Sequence, residues 1–172
     1  MDIMITGATG FIGRHLTGHL LEKGHGLTIV TRDIAGARDM YPDAAAVIDW
    51  EHNALKAALD SVDAVINLAG ASIASGRWTK ARRETILNSR LMAAQRMVNA
   101  LGELNQRPRI FIQASAIGYY GHRAEGECTE ESLPGEGFLA EVCRQWESHV
   151  PMLQDLIDRV VTIRIGVVLG RD

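Results

Sequence analysis

Short apolar runs alternate along this chain with longer stretches in which apolar residues recur every three or four positions. Ile3-Met4-Ile5 opens the pattern, and an amphipathic segment over 14–23 follows a few residues later. Leu27-Thr28-Ile29-Val30-Thr31, introduced by Gly24 and Gly26, reads as a second strand covered on both faces. A short helix is expected at 35–40 before Pro42, a strand at 46–50, a short helix at 55–59 and a strand at 63–68, ended by Ala69-Gly70. The longest helix carries Leu87, Leu91, Ala94, Val98, Leu101 and Leu104 as one apolar stripe. Thr79 can cap its start, and Asn105 and Pro108 end it. A fifth strand is expected at 110–115. The next stretch, 116–136, is about twenty residues without periodicity, long for a compact domain and therefore suspect as functional. Phe138, Val142, Trp146 and Val150 mark one face of a further helix, and 159–169 reads as an extended strand interrupted at Gly166.

Strands alternating with helices imply right-handed crossovers and a parallel sheet covered on both faces. Between the first strand and the first helix stands Thr6-Gly7-Ala8-Thr9-Gly10-Phe11-Ile12-Gly13. Strand, glycine loop and helix together suggest a dinucleotide site, although the spacing is G-x-x-G-x-x-G rather than G-x-G-x-x-G. The first glycine permits a tight turn, the second lets backbone approach a pyrophosphate, and the third lets helix pack on strand. The predicted fold is an α/β, doubly wound Rossmann sheet of order 3-2-1-4-5-6, with residues 1–172 forming one NAD(P)-binding domain.

Composition changes this picture little. The chain has 172 residues, 47% hydrophobic and 23% charged, with a net charge of −3. That is ordinary for a globular domain and gives no sign of a nucleic-acid surface. Arg77, Lys80, Arg82, Arg83, Arg90 and Arg96 gather positive charge in one region. They read as a solvated helix face, with a phosphate-bearing substrate as the other reading. Cys128 and Cys143 form neither a disulfide framework nor a zinc pattern, and His15 and His19 share a helical face without a third ligand, so no metal is expected. No signal segment and no membrane-spanning run is evident, which predicts a cytoplasmic protein. A chain that stops straight after strand six predicts the N-terminal part of something longer. A homodimer is left open.

In such a sheet, ligands bind beyond the carboxyl ends of the strands. Gly7 to Gly13, Arg32-Asp33, Asn67-Leu68-Ala69-Gly70 and the stretch from Ser115 to Tyr120 all lie there. This set resembles the extended and atypical short-chain dehydrogenase/reductases. Ile66-Asn67-Leu68-Ala69-Gly70, the Trp78 region, Gly118-Tyr119-Tyr120-Gly121 and Cys143-Arg144-Gln145-Trp146-Glu147 resemble one branch, the nucleoside-diphosphate-sugar epimerase-like proteins. The resemblance implies a dinucleotide cofactor, a carbonyl or nucleotide-sugar substrate, and a C-terminal part that completes the substrate pocket. The expected cofactor set is Gly7, Thr9, Gly10, Phe11, Ile12, Gly13, Thr31, Arg32, Asn67, Leu68, Ala69 and Gly70. Arg32 at the end of strand two suits the 2′-phosphate of NADP, whereas Asp33 could accept a ribose hydroxyl and keeps NAD as the second choice.

The superfamily's serine, tyrosine and lysine are only partly present. The expected tyrosine falls at Phe138 and the lysine at Val142, and the chain's only lysines are Lys23, Lys56 and Lys80. Ser115 is the best match to the serine, although the usual spacing would select Ala116. Tyr119 and Tyr120 are candidate proton donors, with Arg123 a nearby cation. The candidate catalytic set is thus Ser115, Tyr119 and Tyr120. Two readings remain: an NADP-dependent oxidoreductase or epimerase with a non-standard acid/base group, and a non-catalytic NADP-binding sensor.

Overall fold

The computed structural model describes residues 1–122 and 126–170. Six parallel strands form one sheet in the order β3-β2-β1-β4-β5-β6, with β1 Asp2–Thr6, β2 Gly26–Val30, β3 Ala46–Ile48, β4 Ala64–Asn67, β5 Ile110–Ala116 and β6 Arg159–Ile165. The doubly wound order expected from the sequence is present. Helices α1 Phe11–Glu22, α2 Ile34–Met40, α3 His52–Leu59, α4 Lys80–Gly102, α5 Phe138–Glu147 and α6 Val150–Gln154 connect the strands.

Alternation along each strand sends neighbours to opposite faces. Ile3, Ile5, Leu27, Ile29 and Ile66 pack one way with Ala37, Tyr41, Leu16 and Leu20. Met4, Val30, Val65 and Phe111 pack the other way with Leu55, Leu59, Met97, Leu101 and Leu153. Each such side chain contributes roughly 1.5–3 kcal/mol by leaving water. Both faces are apolar because both are covered.

Three elements depart from expectation. The stripe of α4 buries Ile86, Ala93, Met97 and Ala100 beside Ala94, Val98 and Leu101, while Leu87 and Leu91 are only half-buried. Leucines marked the stripe in the sequence, but α4 packs against α3, α5 and the sheet, so the wider, smaller-residue face goes inward. The helix expected through Val150 is broken after Glu147, and α6 restarts with Pro151 in its first turn, where its missing N–H costs nothing. Strand six ends at Ile165, where its pairing with Ala116 stops, so Val167 and Leu169 are 82% and 88% exposed. The long segment after β5 opens with a 3-10 helix, Ile117–Tyr120. It is pinned by the Gly135 N–H donating to the Tyr119 carbonyl at 2.9 Å. A Cβ on Gly135 would lie 2.0 Å from the Tyr120 carbonyl oxygen, so only glycine fits this closure.

Candidate functional site

The carboxyl ends of β1, β2, β4 and β5 meet along one edge, and the glycine loop is its centre. Gly7 has φ +73°, and a Cβ there would sit 2.7 Å from the Leu68 carbonyl oxygen. A Cβ on Gly13 would be 2.1 Å from the Gly7 oxygen. These two glycines are therefore required by the protein's own backbone. Gly10 is different: it is exposed, and its Cβ would meet only the Gly7 oxygen at 3.2 Å. It stands at the N-cap of α1, with no side-chain cap and no acidic residue in the first turn. The free N–H groups and positive dipole end of a 12-residue helix therefore face outward, a ready environment for a diphosphate. Thr9, Phe11 and Ile12 frame this turn; the Thr9 carbonyl accepts from Arg14 Nε at 3.1 Å, and Phe11 packs edge-on against His15 at 5.6 Å.

At the end of β2 the two charged residues separate in role. The Asp33 carboxylate caps α2, accepting from the Gly36 N–H at 3.0 Å, and the Asp33 N–H donates to Thr31 Oγ1 at 3.2 Å. Arg32 is exposed and has no hydrogen-bond or ion-pair partner among the described residues. Asp33 thus serves the helix, and Arg32 is the free charge.

The β4 end is occupied by the protein itself. Asn67 is fully buried: its Oδ1 accepts from Thr6 Oγ1 at 2.6 Å, and its Nδ2 donates to Gln113 Oε1 at 3.0 Å. Gln113 Nε2 in turn donates to the Ala114 carbonyl at 2.8 Å, and the Ala69 N–H donates to Thr6 Oγ1 at 3.1 Å. This network ties β1, β4 and β5 together at the level of the glycine loop. Asn67 therefore holds the Leu68-Ala69 turn against Gly7, and its side chain is not turned toward a ligand. The space above Gly70 is likewise filled, since a Cβ there would be 2.9 Å from Arg90 Cζ. Arg90 donates to the Ala71 and Ile86 carbonyls at 3.1 and 2.8 Å and lies 5.0 Å over the Trp146 ring. Burial depresses the proton affinity of its guanidinium. The small residue at position 70 accommodates this arginine.

At the end of β5, Ser115 is 2% exposed and its hydroxyl donates to Glu147 Oε1 at 2.5 Å. Arg164, beside Ser115 in the register of β5 and β6, grips the same carboxylate through Nε at 2.9 Å and Nη2 at 2.8 Å. Its Nη1 donates to the Tyr120 hydroxyl at 3.0 Å and to the Glu130 carbonyl at 3.1 Å. The guanidinium lies 3.5 Å over the Tyr119 ring. Glu147 first, then burial in opposition, sets the proton affinity of Arg164, and the net result is upward. Cys143 is buried beside this cluster, and burial pushes its thiol up. The structure thus joins Ser115 and Tyr120 through two residues outside the candidate catalytic set, Arg164 and Glu147, the latter closing the Cys143–Glu147 stretch. The available signal was charge inside apolar patterns: Arg164 within the run of β6, and Glu147 directly after the buried Trp146.

Phe138 and Val142 have no acid/base capacity. Val142 is core, while Phe138 meets Trp78 edge-on at 5.6 Å, with Arg83 5.3 Å above its ring. Arg123 lies outside the described residues. Among the described residues, no group of three His, Cys, Asp or Glu could hold a metal ion, and no helix is long and apolar enough to cross a membrane.

Comparison with known proteins agrees with this geometry. The profile of the NAD dependent epimerase/dehydratase family matches residues 3–138. The chain is 37% identical over its whole length to the epimerase family protein SDR39U1 homolog, chloroplastic, of Arabidopsis thaliana, covering 50% of that protein. It is 38% identical to the epimerase family protein YfhF of Bacillus subtilis, with 99% of this chain and 56% of the relative covered. Among solved structures, human epimerase family protein SDR39U1 with NADPH superposes with a TM-score of 0.83 at 32% identity, covering 100% of this chain and 56% of that one. The chain spans about half the length of the curated relatives it matches. With its matched profile and parallel sheet, the chain belongs to the NAD dependent epimerase/dehydratase family.

Proposed function

We propose that the chain is the NADP-binding part of an NADP-dependent oxidoreductase or sugar-nucleotide epimerase that uses a non-standard proton donor. The observation that carries the cofactor choice is the end of β2, where Asp33 is engaged by α2 and Arg32 is exposed, with no partner among the described residues. A guanidinium there suits a 2′-phosphate, and the NADPH held by human SDR39U1 supports the choice. NAD, lacking that phosphate, is the weaker ligand. The diphosphate belongs on the uncapped first turn of α1 beside Gly10. Bound NADP supplies the hydride chemistry, and the chain's own residues hold it and deliver a proton.

Tyr119 suits that last task best. Its ring is clamped by Arg164, and no hydrogen bond among the described residues occupies its hydroxyl. Ser115 and Tyr120 have their hydroxyls engaged with Glu147 and Arg164, so they hold the loop after β5 in place. Substrate contacts are assigned to the remaining half of the length seen in the relatives, in keeping with a carbonyl compound or nucleotide sugar as substrate. Full-length protein should bind NADPH more tightly than NADH and oxidise it with a member of a carbonyl and nucleotide-sugar panel. Tyr119→Phe should then lower kcat at least 100-fold, with Tyr120→Phe acting mainly on stability. Phe138 and Val142, where a tyrosine and a lysine would stand, favour one competitor, a non-catalytic NADP-binding sensor. Tight NADPH binding without turnover of any panel member would select it.

A further inference from the structure

The positive charge around the start of α4 lies outside the residues assigned above to the dinucleotide. Arg82 and Arg90 turn inward, Arg82 donating to the Ser72 carbonyl and Arg90 to the Ala71 and Ile86 carbonyls. Lys80 and Arg83 have no ion-pair partner among the described residues. With Trp78, Glu84, Leu87 and Phe138 they line an open groove of about 310 Å³. The groove lies between the segment that follows β4 and the first turn of α5, which follows β5. Ligands of an open parallel sheet gather beyond those strand ends.

The lining combines two chemistries. Trp78 and Phe138 meet edge to face, their planes at 69°, and form an aromatic corner. The Trp78 indole N–H donates to the Ile73 carbonyl at 2.8 Å, which fixes the ring while leaving the residue 37% exposed. Lys80 and Arg83 stand against the single carboxylate of Glu84, so the groove carries net positive charge. Cations at the start of a helix are unfavourable for the helix itself, and α4 has no acidic residue in its first turn to offset them. Core packing does not call for this arrangement, because Leu87 on the same wall is only half-buried.

We propose that this groove binds a small planar aromatic anion, its ring in the Trp78–Phe138 corner and its acidic group between Lys80 and Arg83. Aromatic contact and charge-assisted hydrogen bonds supply the attraction. The site is separate from the glycine loop and does not depend on turnover or on the cofactor assignment.

The test uses phenyl phosphate as probe, with inorganic phosphate and benzyl alcohol each carrying half of its chemistry. Binding to the full-length protein is followed by calorimetry and by quenching of tryptophan fluorescence, with and without saturating NADP. Phenyl phosphate should bind at least 10-fold tighter than either comparator, in the presence of NADP as well as in its absence. Lys80→Met/Arg83→Met should weaken it at least 10-fold, Phe138→Leu should do likewise, and both variants should keep the wild-type circular dichroism and NADP affinity. Affinity no better than that of inorganic phosphate, no effect of the variants, or displacement by NADP would overturn the proposal. So would a dimer in sedimentation that Trp78→Lys dissociates and phenyl phosphate does not, since a second copy would then be the occupant. Loss of NADP binding alone would count against the cofactor reading and leave the groove standing.

Discussion

Removal of Arg164 tests whether the end of β5 is held by one coupled unit. Its guanidinium makes two hydrogen bonds to Glu147, one to Tyr120 and one to the Glu130 carbonyl, and covers the Tyr119 ring. Arg164 and Glu147 are 17% and 15% exposed, so solvent replaces little of what is lost. Breaking one half of such a pair typically costs about 3–5 kcal/mol, because a charge is left buried without its partner. In a chain of 172 residues, each kcal/mol lowers Tm by roughly 2–4 °C, so Arg164→Met should lower it by roughly 6–20 °C. Glu147→Gln keeps the shape and leaves the arginine unpaired, with a similar loss expected. The double variant removes both charges and should recover about 1–3 kcal/mol relative to the sum of the singles. Urea unfolding of the four proteins, with m-values compared, gives this cycle directly. Additive losses within about 0.5 kcal/mol would refute a coupled pair and reduce the contact to two independent side chains.

Arg32→Ala should weaken NADPH by about 10- to 100-fold, the equivalent of a charge-assisted bond of roughly 1.5–3 kcal/mol, while leaving NADH unchanged in a fluorescence titration. An equal loss for both nucleotides would remove Arg32 from the phosphate site. Gly13→Ala should abolish NADPH binding and destabilise the fold, since its Cβ would lie 2.1 Å from the Gly7 oxygen; Gly10→Ala, with its nearest contact at 3.2 Å, should lose affinity with far less loss of stability. Comparable unfolding midpoints for the two would contradict that division. Cys143 has a thiol raised by burial, so the folded protein favours the protonated form. Its contribution to stability is complete below the unfolded thiol value of about 8.5 and is lost as pH rises toward the higher folded value. Chemical denaturation from pH 7 to 10 should therefore show an alkaline loss of stability that is smaller in Cys143→Ala. Iodoacetamide should modify the exposed Cys128 long before Cys143, as followed by mass spectrometry.

What could be read from the sequence was what depends on backbone geometry and periodicity. Apolar strands alternating with helices, together with the glycine loop, pointed to the sheet order, because a strand covered on both faces and a turn that excludes Cβ leave their mark locally in residue type. Thr79 capping α4 and the break before Pro151 are equally local, although only the first was anticipated. Roles that depend on which distant side chain fills a space were less legible. Gly70 and Asn67 fit a motif that runs beside a cofactor, yet Arg90, 20 residues on, fills the space over Gly70, and Thr6 and Gln113 engage the amide of Asn67.

The same distinction separates binding from catalysis at this site. Gly10 stands exposed at the uncapped start of α1, and Arg32 has no side-chain partner among the described residues; each suits one part of a phosphorylated dinucleotide. Ser115 and Tyr120, two of the three candidate catalytic residues, have partners that do explain them: the buried Ser115 hydroxyl must be satisfied whether or not it reacts, and the Tyr120 hydroxyl accepts from Arg164. A serine at a strand end is therefore weak evidence for catalysis when its hydroxyl is given to a buried ion pair that holds two elements together. The proton donor proposed above, Tyr119, has a fixed ring and a hydroxyl not engaged among the described residues. The Phe138 position, where an acid/base tyrosine would stand, has been given over to the aromatic corner with Trp78.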